Sequence, residues 1–439
     1  MQAPPGRGAG LGRQSIAFLR TISRKPDLNP VSALLAAPLN TLRGLPYVAW
    51  IILYCALTWG IFGALLGAVT PNLRAQMGVS FQQMGWLMAI WSAGGAVGSL
   101  LGGAIAKRFP PRRLLRAYTA AVVVALSGVL LAPSFGWLAF FMVTIATFET
   151  ALFTVGHGLL AEMSDDPEQR TRIISLVDVA YSLGTMLSPL MAAAVLAANP
   201  AWRGPYVVFG LMALVMLALT LQRRYLREVA FKTHHTGEAG VAAPRQPLDY
   251  GGLLRQPVVR WVLFAGVCSG LCEWGQYFWF VSFATEALGE HEQTARLALG
   301  FLMAGMVTGR IWQAFVHSRW AMEQKIQGLG ALAALAITGV WLTPADAPFV
   351  WLALCNYLTG LGVSVGFPIL LGIALRGFPQ EAPRLSALLM IAFTVGAQIA
   401  ALLMGALAEH FGLRAAYAVL VAAALAFFGA AWVLGRRRR

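Results

Sequence analysis

Of the 18 Asp and Glu residues in this 439-residue chain, three lie inside long apolar runs: Glu149, Asp178 and Glu273. Glu149 stands in Thr147-Phe148-Glu149-Thr150-Ala151, near the middle of an apolar run from Trp137 to Leu160. A helix rises about 1.5 Å per residue, so if that run crosses a bilayer the carboxylate sits near the midplane. An ionised carboxylate at that depth costs several kcal/mol, which leaves three solutions: a watery cavity, a paired cation or a bound proton. Each of them suits solute transport. Glu273 adjoins Trp274, Gln276, Tyr277 and Trp279. A carboxylate beside an amide and aromatic rings can hold a polar organic solute by hydrogen bonds and stacking. The competing reading of the same residues is an aromatic belt at the membrane surface.

Other polar side chains extend this chemistry. Asn356, Thr359 and Ser364 share one apolar run, where Gly360, Gly362, Gly366 and Pro368 would permit a broken helix that exposes backbone groups to a cavity. His157 lies two turns beyond Glu149 on roughly the same side, placed to relay a proton or simply to be a satisfied polar residue. Asp178 suits a structural or gating pair with a cation, and the candidates are Arg310 and the cluster Lys107, Arg108, Arg112 and Arg113. Arg310 itself could snorkel toward the membrane surface or pair inward. Cys55, Cys268, Cys272 and Cys355 all fall in apolar runs without metal-ligand spacing, so neither a metal site nor a disulfide is expected. HExxH and GxxxxGK[ST] are absent, and His157 and His317 are the only histidines within the apolar runs, so no enzyme and no cofactor is expected, and a proton gradient is the natural energy source.

These groups need elements to hold them. The chain is 58% hydrophobic and 12% charged, against about 45–50% and about 25% in a soluble domain, and its mean hydropathy is +0.67. The formal charge of +15 sits in short breaks between apolar runs rather than along a soluble face, which argues against nucleic acid as a partner. Twelve runs near the roughly twenty residues of a crossing helix occupy 48–70, 83–106, 114–133, 137–160, 173–196, 204–222, 258–285, 295–318, 325–343, 349–374, 385–407 and 413–434. With both termini in the cytoplasm, every one of the 33 Lys and Arg residues except Arg74, Arg203, Arg296 and Arg414 falls on the inner side. Residues 1–45 read as a basic cytoplasmic arm, 46–222 as a six-helix half, 223–257 as a cytoplasmic linker, 258–435 as a second six-helix half and 436–439 as a basic tail. Gly94, Gly98 and Gly102, like Gly63 with Gly67 and Gly305 with Gly309, supply the four-residue spacing that lets membrane helices approach closely.

The stretch Gly103-Ala-Ile-Ala-Lys107-Arg108-Phe109-Pro110-Pro111-Arg112-Arg113 resembles the loop motif of the major facilitator superfamily. It departs in carrying Lys107 for the motif's acid and Pro110 for its glycine, with one residue inserted. A basic residue there, with Phe148-Glu149-Thr150-Ala151, Pro167-Glu168, Arg172, Tyr181-Ser182-Leu183-Gly184, Gly309-Arg310 and Phe367-Pro368, is similar to the fucose–proton symporter family. Asp178 to Pro189 and Trp274 to Trp312 look most like its TsgA-like members. The resemblance implies an all-α fold of twelve helices in two pseudo-symmetric halves, and a protonatable glutamate at Glu149. It also implies an aspartate four residues before a first-helix proline, where this chain has Gly67 before Pro71, so a two-carboxylate relay is incomplete.

The reading is therefore a secondary transporter, monomeric in a bacterial inner membrane, that carries a sugar-like solute by alternating access and couples it to protons through Glu149. The alternatives are a proton-driven exporter of an amphipathic compound and a non-transporting receptor or assembly factor on the same fold.

Overall fold

The apolar runs fold as long helices whose ends fall at residues that cap them or cannot continue them. The computed structural model describes residues 45–106, 108–161, 167–222, 250–315, 320–345 and 347–436. The basic arm up to residue 44, Lys107 and most of the expected linker lie outside the described residues. Helices α1 (Tyr47–Met77), α2 (Phe81–Ile105), α3 (Pro111–Leu130), α4 (Phe135–Ala161), α5 (Pro167–Ala198) and α6 (Arg203–Leu221) precede that segment. After a short helix at Tyr250–Arg255 come α7 (Pro257–Ser282), α8 (Glu292–Phe315), α9 (Met322–Trp341), α10 (Phe349–Gly377), α11 (Ala382–Phe411) and α12 (Leu413–Arg436).

Local chemistry sets these ends. Gly78 takes a left-handed φ of 64° and closes α1, and Ser80 then opens α2 with a reciprocal capping box to Gln83. Pro111 and Pro257 sit in the first turn of α3 and α7, where a missing N–H costs nothing. Helix α10 breaks between Val363 and Gly366, within the expected cluster of glycines ahead of Pro368. Among the described residues, ten helices, all but α8 and α9, are long and apolar enough to cross a membrane. Charged side chains dilute the other two: Glu292, Arg296 and Arg310 in α8, Glu323 and Lys325 in α9.

The pairing of helices runs twice. In the first set α1 packs on α5 and α6, α2 on α4, and α3 on α4 and α6; in the second α7 packs on α11 and α12, α8 on α10, and α9 on α10 and α12. The glycines repeat as well. A Cβ on Gly60 would lie 2.1 Å from the Tyr181 carbonyl and one on Gly184 2.1 Å from that of Leu57, while Gly270 and Gly396 meet Phe393 and Val267 at 2.5 and 2.2 Å. Gly98 and Gly305 repeat the motif between α2 and α4 and between α8 and α10, at 2.0 Å from the Thr147 and Tyr357 carbonyls. Lipid supplies no hydrophobic drive between helices, so backbone contact of this kind carries the packing.

One outcome follows directly. Gly98→Ala should lower the thermal midpoint of the solubilised protein, by an overpacking cost of roughly 1–3 kcal/mol, because the opposing group is backbone. Gly103→Ala should leave the midpoint unchanged or slightly raised, since a Cβ there meets nothing within 4 Å. Equal midpoints for the two variants would refute glycine packing as the reason for the pairing.

Candidate functional site

Glu149 is 2% exposed, and its Oε2 has no hydrogen-bond partner. It faces α1 closely enough for its charge to reach Cys55. His157, farther along α4, serves a different neighbour. Its Nδ1 lies 3.1 Å from the Phe153 carbonyl and its ring packs edge-on against Phe153 at 4.1 Å. Asp178 of α5 lies within its electrostatic reach.

A second polar group forms where α5 meets α7 and α8, and Arg310 is its centre. The guanidinium Nη1 donates to Ser182 Oγ at 2.8 Å, and Nη2 lies 3.9 Å from Glu273 Oε1. A separation of 3.9 Å is a loose pair, with neither group saturated by the other. Asp178, Tyr181 and Tyr277 all lie within electrostatic reach of Arg310. The Tyr277 hydroxyl donates to Met306 Sδ at 3.1 Å, with Thr185 beside it. Of the two cation sources expected for Asp178, Arg310 is the one beside it; Arg108 and Arg113 are exposed and Arg112 half-buried at the start of α3.

The remaining expected pocket residues are turned to other tasks. Gln276 is fully buried, and its Oε1 accepts from Tyr417 of α12 at 2.5 Å while its Nε2 has no partner. Trp279 donates from Nε1 to the Ala400 carbonyl of α11 at 2.9 Å. Asn356 donates to its own helix at Leu352, leaving a buried Oδ1 without a partner. Two apolar grooves, of about 660 Å³ between α2 and α11 and about 410 Å³ along α8 and α10, contain none of these residues. The chemistry thus lies away from both of these surface grooves.

Arg296 is a residue that its sequence context passed over as one more charge outside the membrane. It is 1% exposed. From α8 its Nε donates to the Ala68 carbonyl of α1 at 3.0 Å, and its Nη2 donates to Asn72 and, at 2.7 Å, to Glu292. The Glu292–Arg296 spacing of one helical turn was the only sequence signal for a held guanidinium. Around it, the two helix sets close on each other at the end of the bundle where α1 ends and α2 begins. Arg74 pairs with Glu286 at 2.6 Å and lies over the Phe81 ring, and the Phe81 amide donates to Glu409 at 2.8 Å. A Cβ on Gly67 would lie 1.8 Å from the Tyr277 carbonyl, and one on Gly85 2.4 Å from that of Ala401.

Long apolar helices in two like-paired sets, with charged groups held between them, define an integral membrane protein of the secondary-transporter class. Comparison places it in a family: the model of the Major Facilitator Superfamily matches residues 48–384, and the chain belongs to that superfamily. Similar curated proteins include the TsgA homologue of Erwinia tasmaniensis, 21% identical over 84% of this chain and 90% of its own length. TsgA of Escherichia coli is 22% identical over 82% of this chain and 88% of its own. The TsgA-like part of the resemblance read from the sequence is borne out by these relatives. Among solved structures, a bacterial homologue of the human lysosomal transporter Spinster in an inward-facing, occupied conformation matches with a TM-score of 0.69 at 13% identity, covering 90% of this chain and 98% of that one. The nucleoside transporter NupG matches with a TM-score of 0.70 at 10% identity, covering 88% and 99%. At these identities the structures speak for the fold.

Proposed function

We propose that the chain carries a small polar organic solute, sugar-like in its hydrogen-bonding groups, by alternating access coupled to protons through Glu149. The observation that carries this reading is the loose, part-exposed pair of Glu273 and Arg310 inside the bundle, with side chains 16% and 32% accessible. A planar carboxylate and a planar guanidinium with spare hydrogen-bonding capacity suit adjacent hydroxyls, with Tyr181 and Tyr277 beside them and Asn356 of α10 as a further pocket group. All twelve helices cross the bilayer in this reading, in two halves of six, with 1–45 and 436–439 as cytoplasmic tails and 223–257 as the linker. The doubled pairing and the placement of the basic residues support it. The end closed by Arg296, Arg74 and Gly67 is then the outer one, so the protein stands shut to the outside. The membrane is a bacterial inner membrane, the working unit a monomer, and the only further requirement a proton gradient. Gln276 and Trp279 shape the pocket from behind, through Tyr417 and Ala400.

The test adds candidate sugars and organic acids to weakly buffered proteoliposomes and follows external pH. Solute-driven alkalinisation is expected for the transported class. Folded protein that moves no proton with any solute of the panel would turn the assignment toward the exporter or the non-transporting relative.

A further inference from the structure

Beside the Glu273–Arg310 pair lies an aromatic cluster that the transport reading leaves unused. Trp59 of α1 stacks on Trp91 of α2 with centroids 6.1 Å apart. Trp91 meets Trp274 of α7 at 5.8 Å and Phe278 at 6.1 Å, both edge-on. Trp274 also lies 5.4 Å from Tyr277, so the aromatic and polar groups are continuous along α7. The cluster therefore bridges the two helix sets at the level of the charged pair.

Its exposure is uneven. Trp91 and Phe278 are buried at 3% and 1%, whereas Trp59 and Trp274 are only half-buried. Helix α1 is enclosed by α4, α5, α6 and α7, and α7 by α1, α8, α10, α11 and α12. The free faces of these two indoles therefore open to the interior of the bundle and not to lipid. Trp91 Nε1 is a buried donor without a partner. An indole N–H in that position normally finds an acceptor, and each one left open is a place where a ligand atom gains.

We infer that Trp59, Trp91 and Trp274 form a ring-binding subsite beside Glu273 and Arg310, so that the solute carries a planar aromatic ring joined to its hydrogen-bonding part. The inference rests on the transport reading and narrows its solute class from simple polar compounds to ring-bearing ones. The ring lies on the open indole faces, and the polar part reaches the carboxylate and guanidinium one residue and one helix away.

The experiment measures equilibrium binding to the full-length protein in lipid nanodiscs with three probes: methyl, cyclohexyl and phenyl β-D-glucoside. Phenyl glucoside should bind roughly tenfold more tightly than the methyl compound, the scale of one aromatic stacking contact, with cyclohexyl between them. Trp274→Leu should bring phenyl down to the methyl level, and Trp274→Phe should keep most of the preference. Phenyl no tighter than methyl, cyclohexyl equal to phenyl, or a preference that survives both Trp274→Leu and Trp59→Leu would overturn the subsite, as would the binding of no probe. Uptake into proteoliposomes separates the two readings. Methyl glucoside carried without ring preference removes the subsite and leaves the transporter. Phenyl glucoside held through Trp274 but never carried removes transport and leaves the subsite.

Discussion

Glu149→Gln should abolish uphill accumulation while solute exchange continues near the wild-type rate. The carboxylate is buried with an unpartnered oxygen, and no cation takes part in an ion pair with it among the described residues. Charged, such a group costs several kcal/mol at membrane depth; carrying a proton, it costs far less, and the helix can move between states. Gln keeps the shape and the hydrogen-bonding capacity but exchanges no proton. With one proton per solute, a gradient of one pH unit sustains roughly tenfold accumulation. The variant should read about onefold under the same gradient, with counterflow of labelled solute retained. Accumulation undiminished in the variant would remove Glu149 from the coupling. Helix α1 carries no Asp or Glu, so no first-helix carboxylate can take over.

Gly67→Val should stop net transport by holding the bundle open at the end where α1 meets α7. Its Cβ would fall 1.8 Å from the Tyr277 carbonyl, a backbone atom that no rotamer change can move aside. An overlap costing about 3 kcal/mol lowers the population of that closed state on the order of 100-fold. A cysteine introduced as Val69→Cys reports the state directly, because Val69 is 0% exposed. It should resist a membrane-impermeant maleimide in the parent and react readily in the Gly67→Val background, with the thermal midpoint little changed. The four native cysteines are all buried and give little background. Protection of the introduced thiol in both backgrounds, with normal uptake, would show that this contact is not obligatory.

Much of this architecture was legible in the sequence, because hydrophobic length and glycine spacing report directly on crossing helices and on close helix pairs. The break in α10 was legible for the same reason. The assignment of faces was not. On a helix that is apolar all round, one side meets a partner helix, another meets lipid and a third lines the interior, and periodicity cannot tell them apart. Gln276 and Trp279 sit three residues apart in a promising polar stretch, yet they turn to Tyr417 and Ala400. Glu273 and Arg310 were read as members of different groups, since nothing in a linear pattern brings α7 against α8. His157 looked toward Glu149 along one helix, while its charged neighbour came from α5.

The glycine contacts divide into two populations with different mechanical meaning. Those at Gly60, Gly98, Gly184, Gly270, Gly305 and Gly396 bind helices of one set to each other, so each set behaves as a stiff block. Those at Gly67, Gly85 and Gly405 bind one set to the other, along a seam where α1 packs on α7, α2 on α11 and α5 on α8, with the buried Arg296 and the part-exposed pair at Arg74 at one end. If that seam parts and re-forms in transport, as proposed, the molecule moves as two stiff bodies whose resting positions must lie within a few kcal/mol of each other. On such a balance, a few kcal/mol of differential affinity from a small solute is enough to tip the whole assembly.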